Sequence, residues 1–196
     1  MKKVLGIGGS PRKGGNSDIL LRQLLKGARN GAATEEIHLR DYQFQSCIGC
    51  ERCRKDKQCT GLQDGMQLIY PKIREAGGLV VVTPIYNYNM TALMKSFIDR
   101  LYCFYNFSDE RPGCWSSQLA DQGRKAIITV IGEQASREEG GMNLTLETMR
   151  RSIEAIGYEV IDELPVLGIF HKGKVREYPQ ALKQAEALGK RLASML

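Results

Sequence analysis

Apolar positions along the chain alternate between two periods. Lys3–Gly8 forms a short β-rich run, and residues 17–29 then place Ile19, Leu20, Leu24 and Leu25 at the spacing of one helical face. Residues 34–39 read as a second strand. Residues 63–76 read as a helix that Pro71 should kink or start late. The run 78–83, GLVVVT, is almost purely apolar, as a central parallel strand covered on both faces must be. Residues 91–104 gather Leu93, Met94, Phe97, Ile98 and Leu101 on one face and predict an amphipathic helix. Lys125–Ile131 repeats the buried-strand pattern, and 143–156 is helical and stops at Gly157, a C-cap signal. Residues 158–164 form the fifth strand, and 178–195 the last helix.

Five strands alternating with five helices predict an α/β fold, a doubly wound five-stranded parallel sheet with helices on both faces. No repeat, low-complexity tract or linker interrupts the pattern, so 1–196 is expected to be one domain. Such sheets bind ligands beyond the carboxyl ends of their strands, where the winding reverses. Chemistry is therefore sought in the segments that follow the first, third and fourth strands.

The first of these reads Gly8-Gly9-Ser10-Pro11-Arg12-Lys13-Gly14-Gly15-Asn16-Ser17 and leads into a helix. Its glycines let the backbone turn sharply, and the helix start adds the positive end of its dipole. Ser10, Asn16 and Ser17 bring short donors, and Arg12 brings a fixed charge for a doubly ionised phosphate. A dinucleotide fingerprint fails because Pro11 stands where its third glycine belongs, and a P-loop fails because Gly14 is followed by Gly15-Asn16. A hydroxyl-rich loop for a terminal phosphomonoester fits, as in doubly wound folds that bind FMN. A plain Ser/Asn cap behind a flexible turn is the alternative.

After the third strand comes Thr83-Pro84-Ile85-Tyr86-Asn87, then Leu93-Met94-Lys95-Ser96-Phe97-Ile98-Asp99-Arg100. Pro84 stiffens the exit from the strand, Tyr86 offers a flat face to a ring, and backbone N–H groups from Asn87 onward suit a flavin's polar edge. Together, Gly-Ser-Pro-Arg with Gly-Asn-Ser and this Pro-x-Tyr turn with Lys-x-Phe-Ile-Asp-Arg resemble the superfamily of NADPH-dependent FMN reductases and iron-sulfur flavoproteins. The similarity in element order runs over nearly the whole chain. It implies a flavodoxin-like fold and FMN held by Ser10, Arg12, Asn16, Ser17, Pro84, Ile85, Tyr86 and Asn87. Gly132, in the loop Ile131-Gly132-Glu133-Gln134 after the fourth strand, joins them by topology. Tyr88 is read as rim packing, and Asp99 with Arg100 as a structural ion pair.

Four of the six cysteines fall in Cys47-x2-Cys50-x2-Cys53-x5-Cys59. Such density in a cytosolic chain points to metal or redox chemistry rather than a disulfide scaffold. Three cysteines at x2 spacing suit an iron-sulfur cluster. The motif resembles that of the iron-sulfur flavoproteins, which implies one [4Fe–4S] cluster on Cys47, Cys50, Cys53 and Cys59 beside the FMN. Zinc on four thiolates and unmetallated thiols stay open as alternatives. Cys103, at a helix end, and Cys114, in a loop, are read as plain.

Composition narrows the rest. The 196 residues carry 42% hydrophobic and 26% charged side chains, an ordinary globular balance. The apolar stretch behind Lys2 and Lys3 ends at Ser10-Pro11, short of the roughly 7–15 residues of a secretory signal, so a cytoplasmic location is expected. A net charge of +6 raises nucleic-acid binding, but Lys and Arg are scattered without a basic run, so none is expected, and no membrane span. His38 is read as packing, and His171 as a loop residue. No Ser-His-Asp or paired-carboxylate arrangement can be inferred, which suits an enzyme whose cofactor carries the chemistry. The expected activity passes electrons from NAD(P)H through FMN to a small-molecule or protein acceptor. The alternatives are a cluster-free quinone, nitroaromatic or flavin reductase and a non-enzymatic electron carrier. The aromatic segment Tyr102 to Phe107 with Arg111, Pro112 and Trp115 is expected to build a homodimer or homotetramer interface bordering the flavin.

Overall fold

The computed structural model describes residues 2–110 and 113–196. The chain runs β1 (Lys3–Gly8), α1 (Asn16–Ala28) and β2 (Ala33–His38), then an irregular stretch holding the short helix α2 (Arg52–Asp56). There follow α3 (Tyr70–Glu75), β3 (Gly78–Tyr86), β4 (Asn89–Met90) and α4 (Ala92–Arg100). β5 (Tyr105–Phe107) and β6 (Trp115–Ser117) pair as a separate hairpin. β7 (Lys125–Ile131), α5 (Met142–Ala155), β8 (Glu159–Val166) and α6 (Pro179–Ser194) complete the order.

The apolar runs become central strands because both of their faces are covered. The order β2-β1-β3-β7-β8 is parallel throughout, the doubly wound five-stranded sheet the pattern predicts, and β4 adds a two-residue antiparallel strand to the end of β3. Leu5, Ile7, Leu79, Val81 and Ile128 face one layer, where α3, α4 and α5 contribute Ile73, Phe97 and Met149. Val4, Val80, Val82 and Ile127 face the other, against Leu20, Leu24 and Leu192 of α1 and α6. These two helices pack backbone to backbone. A Cβ on Gly27 would stand 1.9 Å from the Glu186 carbonyl oxygen, and one on Gly189 1.8 Å from that of Leu24. No helix among the described residues is long and apolar enough to cross a membrane.

Three departures from the sequence pattern have local causes. The helix expected over 63–76 is a 3-10 turn at Gly65–Leu68 followed by α3, because Pro71 fits only the first turn of a helix. The helix expected over 91–104 is capped by Thr91, whose hydroxyl accepts from the Met94 N–H, and tightens to a 3-10 turn after Arg100. β3 continues to Tyr86, since β7 and then β4 pair with its far end.

Candidate functional site

The ends of β1, β3 and β7 meet on one side of the sheet, and their loops enclose a cavity of about 310 Å³. The loop after β1 is anchored before it turns: the Gly9 N–H donates to the Val82 carbonyl at 2.8 Å, and the Thr91 hydroxyl donates to the Gly9 carbonyl at 2.7 Å. Ser10 and Ser17 are buried, while Arg12 is exposed at the mouth, and all three line the cavity. No side chain caps the start of α1, so its first N–H groups are left for a ligand. Asn16 also lines the cavity, but its side chain is a strut. Its Nδ2 donates to the His171 carbonyl at 2.9 Å, and its Oδ1 accepts from the Val175 N–H at 3.1 Å. This strut brings Phe170 and Lys172, from the loop after β8, into the same cavity.

Pro84, Ile85, Tyr86 and Asn87 form the second wall. Ile85 pairs with Met90 and Tyr86 with Asn89, leaving Asn87 and Tyr88 as a two-residue turn with φ of 47° and 68°. Both angles positive make this the hairpin turn whose twist matches its strands, and Tyr88 is an unusual residue to find in it. Tyr86 and Tyr88 are exposed, with faces free for a ring.

Gly132 and Gln134 close the third side. Gly132 donates to the Val166 carbonyl and accepts from the Ile169 N–H, both at 3.0 Å. A Cβ on Gly132 would lie 2.0 Å from Gln134 Oε1, so a side chain there would displace that amide from its place. Gln134 Oε1 is buried and has no hydrogen-bond partner in the chain. A flat polar ligand fits this wall, since an orphaned amide oxygen there calls for a donor.

A second cavity, of about 400 Å³, lies beside the far end of α4. Cys47, Cys50, Cys53 and Cys59 all line it, and so does Cys103, which is buried rather than peripheral. Burial, followed by the neighbouring Cys59, Cys47 and Cys50, pushes the Cys53 thiol up; burial first also takes Cys103 up to about 12. The thiols share a cavity, yet among the described residues no three His, Cys, Asp or Glu side chains converge in a geometry that could hold a metal ion.

Behind the thiols stands Arg100. Its guanidinium is buried and forks onto Asp64 at 2.7 and 3.1 Å, donates to the Tyr70 hydroxyl at 3.1 Å and the Gln45 carbonyl at 2.8 Å, and reaches Cys59 Sγ at 3.5 Å. The expected pair between Asp99 and Arg100 is therefore corrected. Adjacent helical residues point about 100° apart, and Asp99 pairs instead with Lys95 one turn earlier, at 2.6 Å. The aromatic segment also sits elsewhere than expected. Tyr102, Tyr105, Phe107 and Trp115 cluster with ring centroids 4.7–5.8 Å apart, and Arg54 of α2 stacks over Phe107 at 4.4 Å. Tyr102 lines the cysteine cavity, and none of these rings lines the first cavity. Phe104 is core, Trp115 is exposed, and Arg111 and Pro112 lie outside the described residues.

Sequence reasoning passed over Asp18, Arg40, Gln134, Phe170 and Lys172. Only Gln134 left a signal, its place in the loop after the fourth predicted strand.

Comparison with known proteins shows the family and the fold. Residues 2–120 match the family model described as NADPH-dependent FMN reductase. An iron-sulfur flavoprotein of Methanocaldococcus jannaschii is 38% identical over 146 residues, covering 74% of this chain and 68% of that protein. An iron-sulfur flavoprotein of Archaeoglobus fulgidus is 31% identical over 193 residues, covering 97% and 79%. The structure of an FMN-dependent NADH-azoreductase from Bacillus anthracis, in complex with FMN, shares the fold at a TM-score of 0.72 over 98% of this chain and 100% of that one, with 17% identity. With the family model spanning more than half of it, this chain belongs to the NADPH-dependent FMN reductase family and is an NAD(P)H-dependent FMN oxidoreductase.

Proposed function

We propose that 1–196 is one FMN-binding domain that holds the cofactor phosphate on the 10–17 loop and its ring against 84–88 and 132–134. One observation carries the reading. Ser10, Arg12, Asn16, Ser17, Pro84, Ile85, Tyr86, Asn87 and Gly132 come from three distant segments and line a single cavity. When bound, FMN supplies a ring that accepts a hydride from NAD(P)H and returns electrons to an acceptor. The chain's own groups bind and orient. Arg12, Ser10 and the open start of α1 hold the phosphate; Asn16 holds the 171–175 loop against that site. Pro84 and the tight Asn87-Tyr88 turn keep the second wall rigid, and the Gln134 amide meets the ring's polar edge. The acceptor is a small molecule that reaches the ring past the exposed Tyr86 and Tyr88.

A finer reading concerns the cysteines: in the metallated protein, Cys47, Cys50, Cys53 and Cys59 hold an iron-sulfur cluster, [4Fe–4S]. Their shared cavity and the iron-sulfur flavoprotein relatives support it. Because the thiols do not converge here, no electron step is assigned through them. All six cysteines are free, which suits the cytoplasm. The exposed Trp115 and its aromatic neighbours suit a homodimer or homotetramer contact beside the cysteine cavity.

The test is steady-state oxidation of NADH and NADPH with a quinone acceptor, run on anaerobically purified protein whose iron and flavin are assayed on the same sample. Turnover with bound FMN supports the enzyme reading. Bound FMN without turnover, restored only by a protein partner, turns the reading to an electron carrier.

A further inference from the structure

Beneath the phosphate loop lies a charge arrangement that works against an anion unless it is compensated. Asp18 is the third residue of α1, the helix whose start faces the cavity, and its side chain is wholly buried. A buried carboxylate so near a phosphate site repels the ligand it should help to bind. Arg40, in the 3-10 turn Leu39–Asp41 after β2, meets it fork to fork, Nη1 on Oδ1 at 2.9 Å and Nη2 on Oδ2 at 2.8 Å. The same Nη1 donates to the Ser10 carbonyl at 3.0 Å, while Asp18 Oδ2 accepts from the Gly14 N–H at 2.7 Å. One ion pair thus grips the 10–14 loop at both ends. His38, on the edge strand β2, stands beside the pair with Nδ1 3.4 Å from Asp18 Oδ1 but not hydrogen-bonded to it, and its Nε2 lies 2.6 Å from Glu36 Oε1.

We infer that Arg40 is a positioning residue for phosphate recognition: it acts by cancelling the Asp18 charge beneath the loop, so that the site prefers a flavin bearing a phosphomonoester over the same ring without one. The inference rests on the reading of 10–17 as the phosphate loop. Neither Asp18 nor Arg40 lines the cavity, and the pair reaches it only through the Ser10 carbonyl and the Gly14 N–H, so its effect should be confined to the phosphate end. Removing Arg40 leaves a buried carboxylate unpaired beneath the loop, whereas removing both charges leaves no buried charge there and spares Arg12.

The experiment titrates FMN and riboflavin into flavin-depleted full-length protein: wild type, Arg40→Met and the double variant Asp18→Asn/Arg40→Met. Arg40→Met is expected to weaken FMN at least about tenfold while riboflavin moves by less than about threefold, and the double variant to recover most of the FMN affinity. Equal losses for both flavins, or a double variant no better than Arg40→Met, would overturn the inference. A wild type that binds the two flavins equally brings down the phosphate-loop reading itself, and the inference with it. If Arg40→Met does not fold, Arg40→Lys and the double variant replace it. An FMN preference within about threefold of wild type in both supports the charge cancellation, and its collapse in either refutes it.

Discussion

The two cavities flanking α4 are built from different materials. The first cavity, proposed to take the flavin, is lined by loops that continue the sheet's own hydrogen bonding, Gly9 N–H to Val82 and Gly132 N–H to Val166. When the parallel strands form, that geometry is finished. The cysteine cavity hangs on side chains of an irregular stretch whose only helix, α2, has five residues between two left-handed residues, Glu51 and Lys57. Its thiols share a cavity without meeting in a geometry that could hold a metal ion, because no sheet hydrogen bonding fixes the backbone that carries them. A cavity walled by backbone is fixed once the sheet forms, whereas one walled by side chains of an irregular stretch is set only by their packing.

The sharpest way to break this contrast is at the buried ion pair in the wall behind the thiols of the cysteine cavity. Asp64→Ala leaves the buried Arg100 guanidinium uncompensated, and we expect a loss of about 3–5 kcal/mol in denaturant unfolding. A loss below about 1 kcal/mol would mean that Arg100 finds other partners and that the wall is soft. Acid should reveal the same pair. Burial works to raise the Asp64 pKa, but Arg100 and the Gln45 and Met66 N–H groups hold it below the ordinary carboxylate range. A depressed carboxyl contributes stability above its unfolded pKa, about 3.9, and loses it as pH falls through the folded value. Unfolding free energy should therefore drop below about pH 4 in wild type, with a shallower slope in Asp64→Asn.

At the flavin cavity the next largest effect is on the ligand and not on the fold. Ser10→Ala with Arg12→Ala removes charge-assisted bonds worth roughly 1.5–3 kcal/mol each, so FMN should weaken about a hundredfold or more while the thermal midpoint of the flavin-free protein barely moves. Stoichiometric FMN at unchanged affinity would show that the loop is only a helix cap. Cys53→Ser makes the complementary test. Bound iron should disappear from anaerobic preparations while FMN affinity changes by less than about threefold. Parallel loss of both would mean that the cavities fold as one.

How much was legible follows the same division. Apolar runs mark the central strands β1, β3 and β7, because a strand buried on both faces has to be one, while the edge strands β2 and β8 and the parallel winding follow from the alternation of strands and helices. The residues that line the first cavity were legible because glycine, proline and small hydroxyl residues cluster directly after parallel strands, where such sheets open their crevice. Asp18 and Arg40 were not, since an acid in the first turn of a helix is ordinary and its partner lies 22 positions away. The β5–β6 hairpin was missed because three-residue strands leave no periodic signal. Its aromatics suggest an interface equally well wherever the chain folds them, and only the tertiary structure sets them beside α2.

The smallest effect separates a ligand contact from a packing residue. Gln134 Oε1 is buried without a partner, in a cradle that glycine at 132 keeps open. An unsatisfied buried oxygen costs the flavin-free protein roughly 1–3 kcal/mol, and a ligand N–H that meets it recovers that cost on binding. Gln134→Leu should therefore act with opposite signs on two measurements. Thermal unfolding of the flavin-free protein should show a gain of about 1 kcal/mol, because an apolar side chain of similar length fills the cradle with nothing left unpaired. FMN affinity should fall by about 1 kcal/mol, roughly fivefold, because the partner of the ring's polar edge is gone. Riboflavin should weaken by the same factor, since the contact is to the ring and not to the phosphate, which sets this variant apart from any change in the 10–17 loop. If stability rises and neither flavin weakens, the amide faces solvent when the site is filled, and the third wall contributes shape without a hydrogen bond.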